Sequence, residues 1–457
     1  MSSNMEPKDL VIVGGGLAGC EAAWQAAQLG ITVKLYEMRP HKSTGAHRTG
    51  NLAELVCSNS LGSNLPDRAA GLLKNELRQL GSLLIACADA SSLPAGGALA
   101  VDRALFSSCV EAKIENHPKI NVIREEISQI PEVPAILASG PLTSPPLAKA
   151  LQILTGQEHL YFYDAIAPIV HVDSIDMDIA YRANRYGQGS DNGGDYINCP
   201  FTEAQYVRFR EALLGAKRIP LKEFETEIED GVDAGAGKFF QGCQPIEVIA
   251  KRGEKALAFG PMRPAGLPDP KTDRWPSAVV QLRQDNLAGD LYNLVGFQTN
   301  LSFQEQKRVF RLIPGLENAT FERYGHMHRN VYIAGPILLS DDLSLEAHPG
   351  LFIAGQLAGI EGYAGNIASG LVTGINAARV ILGMEALVFP RTTMTGALLH
   401  YITHADVGDF QPMKAMFGIL PKIVSDKRLS KKLRYAAYVQ RAQESLEAFM
   451  VASGLSL

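Results

Sequence analysis

The chain has 457 residues, enough for two or three domains, and its 46% hydrophobic content supplies sizeable cores. With 43 basic and 48 acidic side chains the net charge is −5, which excludes indiscriminate nucleic-acid binding and leaves any RNA contact to local patches. No apolar run approaches the ~18 residues of a bilayer span, no signal-peptide pattern opens the chain, and six cysteines without CxxC or His/Cys spacing argue against a disulfide framework or zinc site, so a cytosolic protein is expected.

The first predicted element is the run LVIV at residues 10–13, apolar without alternation, as a parallel strand covered on both faces would be. Gly14, Gly15 and Gly16 follow, then Leu17, Ala18 and Gly19 open a small-residue helix that Gly30 stops. In this GxGxxG spacing Gly14 permits the turn, Gly16 lets a pyrophosphate approach the backbone, and Gly19 lets helix and strand lie close. The unpaired N–H groups of the helix start and its positive dipole end face the phosphates. A second strand, ITVKLYE, ends in Glu37, 23 residues after Gly14, which is the spacing of the acid that accepts ribose hydroxyls. This unit reads as a dinucleotide cradle and does not by itself separate NAD from FAD.

Beyond it, AELVCSNSLGSN puts Cys57 where an apolar run meets Ser, Asn and Gly, a loop at the ligand-binding edge of an α/β sheet. An amphipathic helix follows Pro66 and Asp67, Arg103 begins the segment after AVD, and AILASG reads as a further strand. From about residue 166 to 330, Gly and Pro break the text into short segments, the pattern of an inserted mixed α+β domain. Within it the stretch GVDAGAGKF (231–239) lacks the P-loop spacing and reads as a mobile loop; Cys243 lies in a Gly-Cys-Gln-Pro turn, and Arg283 ends a β-like run. Taken alone, Cys57 and Cys243 each fit a small packing residue better than a nucleophile, and Cys20, Cys87, Cys109 and Cys199 read the same way. Arg103 and Arg283 suit either a carboxylate or phosphate ligand or a neighbouring acid. His326 and His328 alternate, but no third ligand accompanies them and no metal is expected.

VYIAGP and LFIAG bring the chain back to the first domain. There GLFIAGQLAGIEGYAGNIASGLVTGINAARV gives a strand, a Gly355–Gln356 turn and a small-residue helix through Ala368, Ser369 and Gly370. A late strand and helix returning to the first nucleotide motif favours a flavin, and the absence of a second GxGxxG unit disfavours a separate NAD(P)H module. The expected fold is therefore α/β, a Rossmann-like FAD-binding domain of glutathione-reductase type in two parts (1–165 and 331–385), with an α+β insertion (166–330) and a helical C-terminal region (386–457). Residues 414–441 of that last region carry eight basic side chains against Asp426 alone, with Tyr435 and Tyr438 interleaved; phosphate contact and a solvated helix face both suit such a run.

Several segments together, among them ELVCSNSL, LPAGGALAVDR, YINCPFTE, QGCQPIEV, FGPMRPAGL, VVQLRQDN and DFQPMKAMFG, resemble the methylenetetrahydrofolate- and FAD-dependent tRNA (uracil-5-)-methyltransferases, relatives of the larger GidA proteins. The resemblance covers nearly the whole chain. It implies conversion of a T-loop uridine of tRNA to 5-methyluridine, with carbon from 5,10-methylenetetrahydrofolate, FAD as cofactor and NADPH or NADH as reductant. It also implies catalytic roles for Cys57 and Cys243. Uracil C5 is a poor nucleophile until a thiolate adds at C6, and its proton must then go to a base; Cys243 is favoured for the first task and Cys57 for the second, with the reverse order open. Arg103, Arg283, Glu361 and Tyr363 are implied contacts to folate or the flavin edge. This chain departs from the family pattern in three places: it has EGYAGNIASG where EGYVESAASG is usual, Asn300 in GFQTNL where histidine is usual, and the insertion EDGVDAGAGK before Cys243. The competing readings are GidA-like modification of the wobble uridine, a small-molecule flavin oxidoreductase, and a flavoprotein without catalysis.

Overall fold

The computed structural model describes residues 9–157, 160–187, 193–219, 244–424 and 429–455. Cys243 and the glycine-rich stretch 231–239 lie outside the described residues.

Leu10–Val13 runs at the centre of a six-stranded sheet, between Val33–Tyr36 and Ala135–Leu137. His348–Ile353 and Ile120–Ile123 extend it to either side in parallel register, and Ser344–Leu345 closes one edge antiparallel. Leu10, Ile12, Val33, Leu35, Ile136 and Leu137 have no exposed surface, as strands covered on both faces require. From Leu10–Val13 the chain moves to one neighbour and later returns to the other. The carboxyl end of that strand is thus a topological switch point, where a crevice opens.

The helix Leu17–Gln28 lies on this sheet beside a return helix, Tyr363–Ile381. Their small residues are there for contact. A methyl group on Gly370 would collide with the carbonyl oxygen of Ala18, and one on Gly374 with that of Ala22. Of the two segments expected to re-enter the first domain, LFIAG joins the parallel sheet, and VYIAGP, at the end of Met327–Tyr332, which pairs antiparallel with Leu160–Ala165, packs Val331, Tyr332 and Ile333 into the same core. That ribbon stands between the two halves of the molecule.

The segment between its strands forms an antiparallel sheet in the order Tyr181–Ala183, Tyr196–Phe201, Ala278–Gln284, Leu291–Leu294, Ile169–His171 and Phe321–Arg323. Helices Glu203–Leu214 and Phe303–Phe310 pack against it around a chain of edge-on and tilted rings, Phe201, Phe209, Phe297 and Phe310, in a core of its own. The C-terminal region, by contrast, shares the first core: Phe389, Leu398, Tyr438 and Leu446 pack with the parallel sheet's residues. Buried Glu76 locks it there by accepting the Met394 and Thr395 N–H groups at the start of helix Met394–His404. No described helix is long and apolar enough to cross a membrane.

Buried Lys74 donates to the carbonyls of Leu61 and Ala70, and burial pushes its ammonium down to about 7. The unfolded chain keeps that proton up to the ordinary lysine value, so between the two the unfolded state binds more protons and stability rises with pH. Lys74→Met is expected to remove a few kcal/mol of that rise, read as a flatter dependence of the urea midpoint on pH from 7 to 10.

Candidate active site

The cradle is built by what its glycines lack. Gly14 has φ +110°, and a side chain there would strike the backbone of Ala138. A Cβ on Gly19 would strike the carbonyl of Gly14, whereas one on Gly16 would meet nothing within 4 Å. Gly16 therefore faces open space, and the N–H groups at the start of helix Leu17–Gln28 face the same way. Gly15 donates its N–H to Glu37 Oε2 at 2.9 Å. Burial disfavours the Glu37 carboxylate, but the hydrogen bonds and charge of Arg39, 2.9 Å from Oε1, outweigh it and hold the carboxyl below the usual range. Arg39 also pairs with Glu54, at 3.1 Å. Glu37 Oε1 also accepts the Arg39 backbone N–H, whereas Oε2, which accepts Gly15 alone, keeps a lone pair for a ribose hydroxyl.

The resulting cleft encloses about 1010 Å³ including its mouth. It is lined by Gly14, Gly16, Leu17, Ala18 and Glu37 of the nucleotide unit, by Gly355, Gln356, Tyr363 and Asn366 of the return segment, and by Val56 next to Cys57. Ala368, Ser369 and Gly370 lie instead in the contact between the two helices; Ser369 acts on the cleft indirectly, its Oγ accepting the Gly355 N–H at 2.8 Å. Asn366, one turn earlier, aims into the cleft, and its buried Oδ1 has no hydrogen-bond partner among the described residues. It stands inside the departure EGYAGN. An acceptor left open there fits a ligand that presents N–H groups, as a flavin ring does.

Beyond Val56 the chain carries Cys57, half-buried, on the loop before Ser60–Ser63. The Cys57 and Ser58 N–H groups both donate to the Tyr363 hydroxyl, at 2.9 and 3.0 Å, and burial pushes that phenol up. Tyr363 is the first residue of the return helix, so one side chain ties the cysteine loop to the wall of the cleft. Arg103 donates to Leu55 O at 2.7 Å and forks onto Asp285. Arg283 donates to Ser58 Oγ at 2.7 Å and Asn59 Oδ1 at 3.0 Å, and Asn293 bridges Asn59 and Asp285. Of the two roles open to these arginines, Arg103 takes a neighbouring acid, and Arg283 holds the loop's polar side chains. Glu361 accepts from Gln356 Nε2 at 2.9 Å, beside Tyr363.

Sequence reasoning missed Asn59, Asp285, Asn293 and Arg323. Arg323 is buried, within electrostatic reach of Cys57 and Tyr363; burial and the charge of Arg103 lower it to about 10, and its Nε has no hydrogen-bond partner among the described residues. Other expected candidates fall elsewhere. Cys20 and Cys199 are fully buried and Cys109 donates to Cys87, at 2.6 Å between sulfurs. His326 Nε2 lies 3.1 Å from Gly45 O, and Asn300 caps within the insertion, donating its N–H to Glu247 and Nδ2 to Ile219 O.

A glycine cradle at the switch point of a parallel sheet, an acid ending the second strand and a return helix at the cleft define an FAD-binding flavoprotein of glutathione-reductase type, here with an inserted α+β domain. Residues 9–385 match the family model described as glucose inhibited division protein A. The chain is 54% identical over 442 residues to a methylenetetrahydrofolate–tRNA-(uracil-5-)-methyltransferase TrmFO of Heliobacterium modesticaldum, covering 96% of this chain and 98% of that one. It is 53% identical over 443 residues to the protein of the same name from Bacillus subtilis, covering 97% and 99%. Among solved structures, Aquifex aeolicus GidA superposes with a TM-score of 0.67 at 16% identity, covering 98% of this chain and 74% of that one, a likeness of fold. The chain belongs to the TrmFO family of methylenetetrahydrofolate–tRNA-(uracil-5-)-methyltransferases.

Proposed function

We infer that this protein methylates C5 of the T-loop uridine of tRNA, taking carbon from 5,10-methylenetetrahydrofolate and electrons from NADPH or NADH through FAD. The observation that carries this is the near-full-length identity above 50% to methyltransferases of that name. In the net reaction the methylene carbon leaves both folate nitrogens, releasing tetrahydrofolate, and gains a hydride from the reduced nicotinamide, which is oxidised; the C5–H bond breaks and a C5–CH₃ bond forms. FAD supplies the redox chemistry when bound, with Gly14–Gly19 and Glu37 holding its dinucleotide part and Gly355, Gln356 and Asn366 its ring. In this reading Cys57 takes the C5 proton and Cys243 adds to C6. The fixed charges of Arg103 and Arg323 favour a sulfur anion at Cys57. Tyr363, Arg103 and Arg283 position its loop, and Glu361 steadies the start of the return helix. The target base must leave its stack to reach a cleft of this depth, at a cost of a few kcal/mol. A tRNA substrate supports a cytoplasmic location for the enzyme.

For the RNA surface, the basic run divides. Tyr438 is buried against Phe417, and Arg441 donates to Pro421 O, so both serve packing. Lys431, Lys432 and Arg434 are exposed in the first turn of helix Lys431–Ser453, which has no acid there. Cations at that end oppose the helix dipole, a local cost that phosphate contact would offset. Lys431→Glu/Lys432→Glu is expected to raise KM for tRNA while leaving FAD content unchanged. It should also lower the salt slope of binding by about 2, measured by filter binding across a salt series.

Unmodified tRNA transcript, labelled methylenetetrahydrofolate, FAD and NADPH or NADH test the inference directly. Label in T-loop 5-methyluridine is expected. Label at the wobble uridine would establish GidA-like chemistry instead, and nicotinamide oxidation without label would establish an oxidoreductase.

A further inference from the structure

A cluster away from the cleft joins the C-terminal region to the edge of the parallel sheet. His400 and His404 stand one turn apart on one face of helix Met394–His404, and Asp341 comes from the loop between helix Gly335–Leu338 and strand Ser344–Leu345. The two segments touch closely: a side chain on Gly335 would press on the carbonyl of Ile402. One ligand atom from each of the three residues lies within 4.8 Å of the others, and His404 Nδ1 is 3.3 Å from Asp341 Oδ1. Two donor atoms that far apart span one edge of a tetrahedron with bonds of ~2.0–2.1 Å.

We propose that Asp341, His400 and His404 form a binding site for one divalent transition-metal ion, with zinc the best fit to two imidazoles and a carboxylate. The imidazole rings stack at 4.0 Å between centroids and 26° between planes, an arrangement two imidazolium ions would resist. The carboxylate is held in place, since Thr403 Oγ1 donates to Asp341 Oδ1 at 3.1 Å. Such an outer contact orients a metal ligand. Asp341 and His404 are exposed, so water completes the coordination and the ion exchanges with solvent. Two nitrogens and one oxygen, without a thiolate, select zinc, cobalt or nickel over copper(I). The bound ion would staple helix Met394–His404 to the sheet edge and stabilise the fold by mass action.

The test uses the full-length, untagged, FAD-loaded protein, freed of metal and titrated with cobalt(II) chloride while visible absorption is recorded. One cobalt per chain is expected, with the band intensity of four- or five-coordination, displaced by one equivalent of zinc, and accompanied by a rise in thermal midpoint. Asp341→Asn and His400→Gln/His404→Gln should each weaken cobalt binding at least tenfold at unchanged FAD content. Weakening of less than tenfold in the variant that retains its FAD, or wild-type binding no tighter than millimolar, overturns the proposal.

Discussion

Replacing Cys57 by alanine is expected to slow methyl transfer to tRNA by ~10²–10⁴-fold, the range lost with a positioned proton acceptor, while FAD stays bound. The separation of the two effects follows from the loop's anchoring. Cys57 is tied to Tyr363 through its backbone N–H, and Ser58 and Asn59 are held by Arg283, so removing one sulfur leaves the loop in place. Single-turnover transfer of labelled carbon, measured beside flavin absorbance, checks it. Activity within threefold of wild type would remove Cys57 from the chemistry. Tyr363→Phe provides the contrast: it withdraws the acceptor of two backbone N–H groups and should disturb both transfer and the flavin spectrum.

Gly370→Val carries the largest structural effect. The Gly370 position touches the Ala18 carbonyl, so a branched side chain must force the two helices apart, and an overpacked core costs ~1–3 kcal/mol or more. Ala18 lines the cleft in the first turn of the nucleotide helix. The displacement therefore reaches the phosphate cradle, and purified Gly370→Val is expected to lose most of its FAD and to melt several degrees lower. Flavin content per chain and a thermal scan read both. Ala368, fully buried two residues earlier, gains only one oxygen as serine and should lose far less flavin than Gly370→Val.

The contrast between those positions shows what the sequence carried. The strand, the three glycines, the helix start and Glu37 were legible because a dinucleotide cradle is a local device of fewer than 30 residues, with each residue type fixed by a steric or hydrogen-bonding need. The return helix was legible in composition but not in detail. Its glycines read as a cofactor loop, yet Gly370 and Gly374 serve helix packing, and the cleft is faced by Asn366, which no periodicity singles out. The support of Cys57 was hidden for a different reason. Asn59, Arg103, Arg283, Asp285 and Asn293 meet across separations of 182 to 234 residues, and only the docking of the inserted sheet against the first domain brings them together. The same applies to Asp341, which is 62 residues from Thr403. The C-terminal region read as a basic helical tail, yet three cations of its basic run, Lys431, Arg434 and Arg441, and the interleaved Tyr435 and Tyr438 are engaged in packing or stacking.

The proposed seat of Cys57 beside the flavin is tested most directly by a crystal structure of the protein with FAD. The expected result has the pyrophosphate on the Gly16–Ala18 backbone, the adenosine ribose on Glu37, and the isoalloxazine edge in van der Waals contact with the Cys57 sulfur. An isoalloxazine pointing away from Tyr363, with the Cys57 loop unchanged and its sulfur out of reach, would contradict it.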